Sequence, residues 1–240
     1  EVVSNYDNIS SKEVEDAVNE FINGAQSIKE PSNEDVYKAM RLCRAIERMV
    51  DKYQLNAFTL NCFDLIPQTH TTGCVALSLL NERGIPAGCE GDIQTLLTML
   101  AVKMITGEPC FMANPSKIIH NARHEMVFAH CTIAPSLTDS YVIRTHYETQ
   151  SGVAVEGILN PTAVTVVKCG GSRMERVFIS DAELLETTSN PNMCRTQLLL
   201  RLKEPLNYFL EDSIGNHHVI VKGNHTARLK TVFSMLSNKT

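Results

Sequence analysis

Ala57-Phe58-Thr59-Leu60-Asn61-Cys62 is a compact apolar strand, followed by a helix-period segment over 73–81 that Glu82-Arg83-Gly84 ends. Ile85-Pro86-Ala87-Gly88-Cys89 then delivers the chain to Glu90-Gly91-Asp92, a second helix runs over 93–105, Gly107 stops it, and 109–112 reads as a strand. Strand–helix–strand–helix–strand with short links predicts a parallel α/β sheet. Upstream, Ser10 or Ser11 caps a helix carrying Val14, Val18, Phe21 and Ile22. Ser32-Asn33-Glu34-Asp35 opens a long amphipathic helix to about Lys52, with Val36, Met40, Cys43, Ile46, Met49 and Val50 on one stripe. Downstream the pattern changes to short β-rich runs at 126–130, 141–145, 153–158, 162–169, 176–180 and 196–202, separated by turn clusters such as Gly170-Gly171-Ser172. Strands without intervening helices predict a small antiparallel barrel or sandwich. The tail returns to a strand at 218–221 and a helix at 224–236. The expected organisation is an α/β domain from 1–125 with 215–240, and a β-barrel domain from 126–214.

Composition agrees with a folded protein. Of 240 residues, 43% are hydrophobic and 20% charged, with 12 Gly, 9 Pro and no Trp, which excludes disorder and collagen-like repeats. Twenty-two Lys+Arg against 27 Asp+Glu give a net charge of -5, so neither nucleic acid nor an anionic membrane is an expected partner. The longest apolar run, near 96–105, is broken by Thr98 and Lys103 and spans no bilayer. No signal-peptide pattern opens the chain, which starts at Glu1 as a processed chain or a fragment does. The eight cysteines are scattered through apolar stretches with no C-x-x-C pair, which predicts reduced core thiols in a cytoplasmic protein.

Three places offer chemistry. Glu90 and Asp92, spaced i, i+2 at the carboxyl end of a strand, can converge on one divalent cation or one substrate proton; they also suit the positive end of the following helix. Gly215-Asn216-His217-His218 precedes a strand, and of two adjacent strand histidines only one faces a given site. Phe128-Ala129-His130-Cys131 and Arg144-Thr145-His146-Tyr147-Glu148 each place a histidine at a strand end, where it serves a site or sits satisfied in the core. A Cys131–His130 nucleophile pair is a third and weaker reading, lacking any G-x-C or triad context.

In their order, these segments resemble the L-fucose isomerases and L-arabinose isomerase. The resemblance rests on Glu90-Gly91-Asp92 with Thr95-Leu96-Leu97, Gly107-Glu108-Pro109, Phe128-Ala129-His130-Cys131, Thr145-His146-Tyr147-Glu148 with Gly152-Val153-Ala154-Val155, and Gly215-Asn216-His217-His218, over roughly 56–236. It implies an aldose–ketose sugar isomerase dependent on Mn2+ (or Mg2+), with a C-terminal barrel and a homo-oligomer, a hexamer or trimer-based. Asp92, His217 and His146 fall at the family's metal ligands, Glu90 and Asp92 carry the proton-transfer role, and His130, Asn216 and Glu148 are the expected sugar-binding residues. The family's other carboxylate ligand falls where this chain reads Gln68-Thr69-His70-Thr71-Thr72-Gly73-Cys74, without an acid; Glu90, Asp64 or Glu148 is the expected substitute. Family members are nearly twice as long, so a first α/β domain is expected to be absent. A non-catalytic sugar-binding homologue is the alternative reading.

Overall fold

The structure, a computed structural model, describes residues 1–237. Residues 238–240, the end of the segment expected to rejoin the α/β part, lie outside the described residues.

The chain opens with α1 (Val2–Asp7), α2 (Ser11–Gly24), β1 (Ser27–Ile28) and α3 (Asn33–Tyr53). Ser10 Oγ accepts the Glu13 N–H at 3.3 Å and so caps α2. Ser32 and Asp35 form a reciprocal capping box on α3, which sinks Val36, Met40, Cys43, Ile46 and Val50 into the core. Next come β2 (Phe58–Leu60), α4 (Cys62–Thr69), α5 (Cys74–Glu82), β3 (Ala87–Cys89) and α6 (Ile93–Thr106). β2 and β3 pair in parallel, Leu60 opposite Cys89, so their carboxyl ends lie side by side. Pro67 sits inside α4, a helix the sequence reading did not place.

The second half is β4 (Cys110–His120), β5 (Glu125–His130), β6 (Ser140–Arg144), β7 (Ala154–Ile158), β8 (Thr162–Gly170), β9 (Arg176–Thr187), β10 (Thr196–Leu202), α7 (Asn207–Glu211), β11 (His218–Lys222) and α8 (Thr226–Ser237). Six strands close a barrel in the order β10-β5-β4-β11-β8-β9, every pair antiparallel. Closure leaves no sheet edge exposed. The molecule therefore combines helices, a short parallel sheet and a small antiparallel barrel.

Strand placement departs from the sequence reading in three respects. The strand expected at 109–112 as the third of the parallel sheet is instead the start of β4. It runs on to His120 through two bulges and turns back into β5. That long strand has antiparallel partners on both sides, β5 and β11, which a βαβ crossover strand does not. β11, expected to return to the α/β part, fills the barrel between β4 and β8. Conversely β6 and β7, expected in the barrel, form a separate sheet in which β6 lies parallel to β1. Tyr141 ties that sheet to α2 by donating to the Phe21 carbonyl at 2.6 Å. Two-residue β1 carries too little apolar alternation to announce itself. α8 packs on β9 and on α6, so it lies against the barrel beside the helix that follows Glu90-Gly91-Asp92.

Candidate active site

β3 ends at Cys89, and the next two residues turn sharply, with Glu90 at φ +59° and Gly91 at φ +69°. A left-handed glutamate costs about 1 kcal/mol, which glycine at the same place avoids. The Gly91 N–H donates to the Leu60 carbonyl at 3.2 Å, fastening this turn to the end of β2. Asp92 then caps α6: Oδ1 accepts the Thr95 N–H at 2.8 Å and Oδ2 accepts the Thr95 hydroxyl at 2.6 Å.

Asp92 Oδ2 also lies 3.0 Å from His217 Nδ1, although the two residues are 125 apart in sequence. An ionised carboxylate only accepts, so Nδ1 carries the proton and Nε2 faces the other way. Nε2 is buried without a hydrogen-bond partner among the described residues, and Glu90 Oε1 is 3.6 Å off, within ion-pair reach but too long for a hydrogen bond. His130 closes the group from the barrel, its ring 5.4 Å from that of His217 and its Nδ1 3.0 Å from the Thr132 hydroxyl.

Beneath Asp92 lies Lys168 of β8, whose side chain is 1% exposed. Its ammonium is 3.6 Å from Asp92 Oδ2 and donates to the Thr95 hydroxyl. The cluster is thus a row of alternating charge: Lys168, Asp92, His217, Glu90.

The titration of each group follows from this row. Half-burial raises the Asp92 carboxyl, but the hydrogen bonds from His217 and Thr95 and the Lys168 charge outweigh it and hold Asp92 well below the carboxylate range. Contact with His217 likewise lowers Glu90. Burial opposes the charge on His217, yet Asp92 and Glu90 raise it above the ordinary histidine value. His130, fully buried and repelled by His217, falls to about 3 and is a neutral imidazole. Burial lowers Lys168, with Asp92 opposing.

His217 and its neighbour point in opposite directions. His218 turns into an aromatic cluster with Phe128, Phe178 and Phe209, and its Nε2 is 2.9 Å from the Tyr208 hydroxyl. Burial lowers it to about 3, so His218 is a core residue.

A small cavity of about 40 Å³ opens between β3, β5 and α4, lined by Glu90, His130, His146 and Glu148 together with several cysteines. His146 is half-buried there, its Nδ1 3.1 Å from the Thr149 hydroxyl; burial lowers it. Glu148 is exposed at the cavity rim. Asn216 is exposed and outside that lining, its carbonyl 3.3 Å from His218 Nδ1. Of the three acids expected to replace the one missing from 68–74, only Glu90 enters the cluster. Asp64 is exposed and accepts from Asn61 at 2.6 Å. Cys131 is buried in a small apolar cluster with Cys74 and Ala154.

The donors for a cation differ from the sequence reading in composition. Among the described residues, Cys89, Glu90 and His130 bring ligand atoms within 4.8 Å of one another, and none of Asp92, His146 and His217 joins that group. A thiol, a carboxylate and a neutral imidazole at that spacing are a donor set that accommodates a divalent cation. Lys168 and Cys89 carry no role in the sequence reading because each sits in an apolar run, Val166-Val167-Lys168-Cys169 and Ile85-Pro86-Ala87-Gly88-Cys89. A lysine inside such a run was a readable signal, since an unpaired ammonium is seldom buried.

No protein-family model matches the chain. Over 216 residues it is 26% identical to a sulfoquinovose isomerase of Clostridium sp. (strain MSTE9), an alignment covering 85% of this chain and 47% of that protein. The chain thus spans about half the length of that curated relative. Among the described residues, no helix is long and apolar enough to cross a membrane.

Proposed function

We propose that this protein is an aldose–ketose sugar isomerase whose reacting centre is Glu90, His217 and His130. The observation that carries the reading is the pairing of the Glu90 carboxylate with the orphaned, buried Nε2 of His217 beside a cavity, in a chain similar to a sugar isomerase. Moving a carbonyl between C1 and C2 requires a base that takes a proton from one carbon and returns it to the next, and a second proton moved between the two oxygens. Glu90 is ionised across the neutral range, so its carboxylate is ready as the base. Asp92 is fully engaged by Thr95 and His217, so its part is to fix the histidine ring rather than to take protons from the sugar. Lys168 holds Asp92 ionised and thereby keeps the Nδ1 proton on His217. Neutral His130, its Nδ1 taken by Thr132, has one ring nitrogen left, and its part is to hold a cation at the oxygen side of the sugar.

Cys89, Glu90 and His130 would hold a divalent cation, manganese or magnesium by the resemblance, which when bound polarises the carbonyl and adjacent hydroxyl of a sugar. The Cys89 thiol is the softest of the three donors, and His217 Nε2 faces the same Glu90 carboxylate at 3.6 Å. The substrate class is a small aldose; sulfoquinovose, L-fucose and L-arabinose are the first to try.

Incubating the full-length protein with each aldose and manganese, and reading ketose by ¹³C NMR, tests the proposal. Conversion of at least one sugar is expected, with the rate lost in Glu90→Gln. Chelator-insensitive sugar binding without turnover of any of them would instead make the protein a binding homologue.

A further inference from the structure

Cys62 Sγ and Cys89 Sγ lie 3.1 Å apart. Cys62 is the first residue of α4, Cys89 the last of β3, and the strands that deliver them are parallel neighbours. A disulfide is about 2.05 Å long, so the two sulfurs have roughly 1 Å to close. Both residues are nearly buried, 5% and 6% exposed, yet both line the cavity whose rim carries exposed Glu90 and Glu148. A small oxidant reaches them by the route open to a ligand; a bulky one does not.

We propose that Cys62 and Cys89 form a reversible disulfide, making the turn that carries Glu90 a site of oxidative modification by small hydroperoxides. The inference goes beyond the isomerase reading and does not depend on it. The chemistry balances in two steps. The Cys62 sulfur, at a helix N-terminus that favours thiolate, attacks hydrogen peroxide; the O–O bond breaks, a Cys62 sulfenic acid forms and one water leaves. The Cys89 sulfur then displaces the sulfenic oxygen as a second water while the S–S bond forms. Two thiols lose two electrons and two protons, and one peroxide becomes two waters. The product removes the Cys89 thiol from the donor group it shares with Glu90 and His130 and ties the Glu90 turn covalently to α4.

The other cysteines at this cavity supply the competing outcomes. Cys74 and Cys131 are buried, and Cys194 sits against Cys131. The test treats the full-length protein with hydrogen peroxide, blocks remaining thiols with N-ethylmaleimide, and digests with trypsin plus Asp-N without reduction. Cleavage before Asp64 separates Cys62 from Cys74, so the expected product is the peptide 53–63 linked to 84–91, absent after dithiothreitol and absent from Cys62→Ser. A wild-type digest in which 53–63 and 84–91 both stay alkylated overturns the proposal. So does a linkage confined to Cys74, Cys131 or Cys194. Because the decisive reading is on the wild-type protein, a poorly folding variant does not rescue it.

Discussion

Replacing Lys168 by methionine keeps most of the apolar stem and removes the ammonium, with its charge and its hydrogen bond to the Thr95 hydroxyl. At an effective dielectric of about 20, unit charges 3.6 Å apart attract by about 4–5 kcal/mol. Most of that is offset, because the substitution also relieves the cost of holding an ammonium out of water, several kcal/mol. Asp92 is not stranded either: it keeps the Thr95 N–H at 2.8 Å, the Thr95 hydroxyl at 2.6 Å and His217 Nδ1 at 3.0 Å. The net expected loss is about 1–3 kcal/mol, the range for a partly buried charge that loses one of several partners. With a urea slope of about 3 kcal/mol/M, the unfolding midpoint falls by roughly 0.3–1 M. The sign with pH is also fixed. Asp92 is held below its ordinary value, so its contribution is present above about pH 4 and is lost as the pH falls through the folded value. The gap between wild type and Lys168→Met is therefore widest near neutrality and shrinks in acid. An unchanged or raised midpoint at pH 7, or a gap that widens in acid, refutes the charged row as a structural unit.

Three further outcomes follow from the same geometry. Glu90→Gly relieves a left-handed glutamate, so urea unfolding is expected to show stability unchanged or raised by up to about 1 kcal/mol while isomerisation is lost; a loss above about 2 kcal/mol contradicts the strained-turn argument. His217 is raised above the ordinary histidine value, so in metal-free protein its stabilisation is complete below about pH 6.5 and fades as the pH rises through the folded value. The stability difference between wild type and His217→Gln is thus expected to narrow from pH 6 towards pH 9, and a constant difference counts against the Asp92–His217–Glu90 arrangement. Manganese at Cys89, Glu90 and His130 must displace the thiol proton of Cys89, so calorimetry in buffers of different ionisation enthalpy is expected to show proton release and binding that tightens as the pH rises. Binding that is independent of pH assigns the cation elsewhere.

Local signals carried much of the fold. Ser32 and Asp35 announce the start of α3, Asp92 sits where an N-cap belongs, and Gly107 ends α6 at φ +82°. Sheet membership was less readable, because it depends on partners distant in sequence. Cys110-Phe111-Met112 is as apolar as a buried parallel strand; only its continuation through Pro115 and Ile118 to His120, paired on both sides, makes it a barrel strand. The same limit separates the parts of the site. Glu90, Asp92 and His217 stand out as polar residues at element ends. Their roles depend on which oxygen or nitrogen is already engaged, and that is set by Thr95 and by Lys168, which reaches Asp92 from β8. Asn216 shows the converse: adjacent to a site residue in sequence, it is turned to the exposed side.

The central claim is that Glu90 moves a carbon-bound proton of an aldose. Incubating the manganese-loaded full-length protein with sulfoquinovose and then the other aldoses in D₂O, and following deuterium at C1 and C2 by NMR, reads that step even when net conversion is small. Deuterium incorporation is expected with the wild-type protein and none above background with Glu90→Gln, the variant being as stable as the parent. Incorporation that persists in Glu90→Gln, or no incorporation by the wild type into any aldose tried, contradicts it.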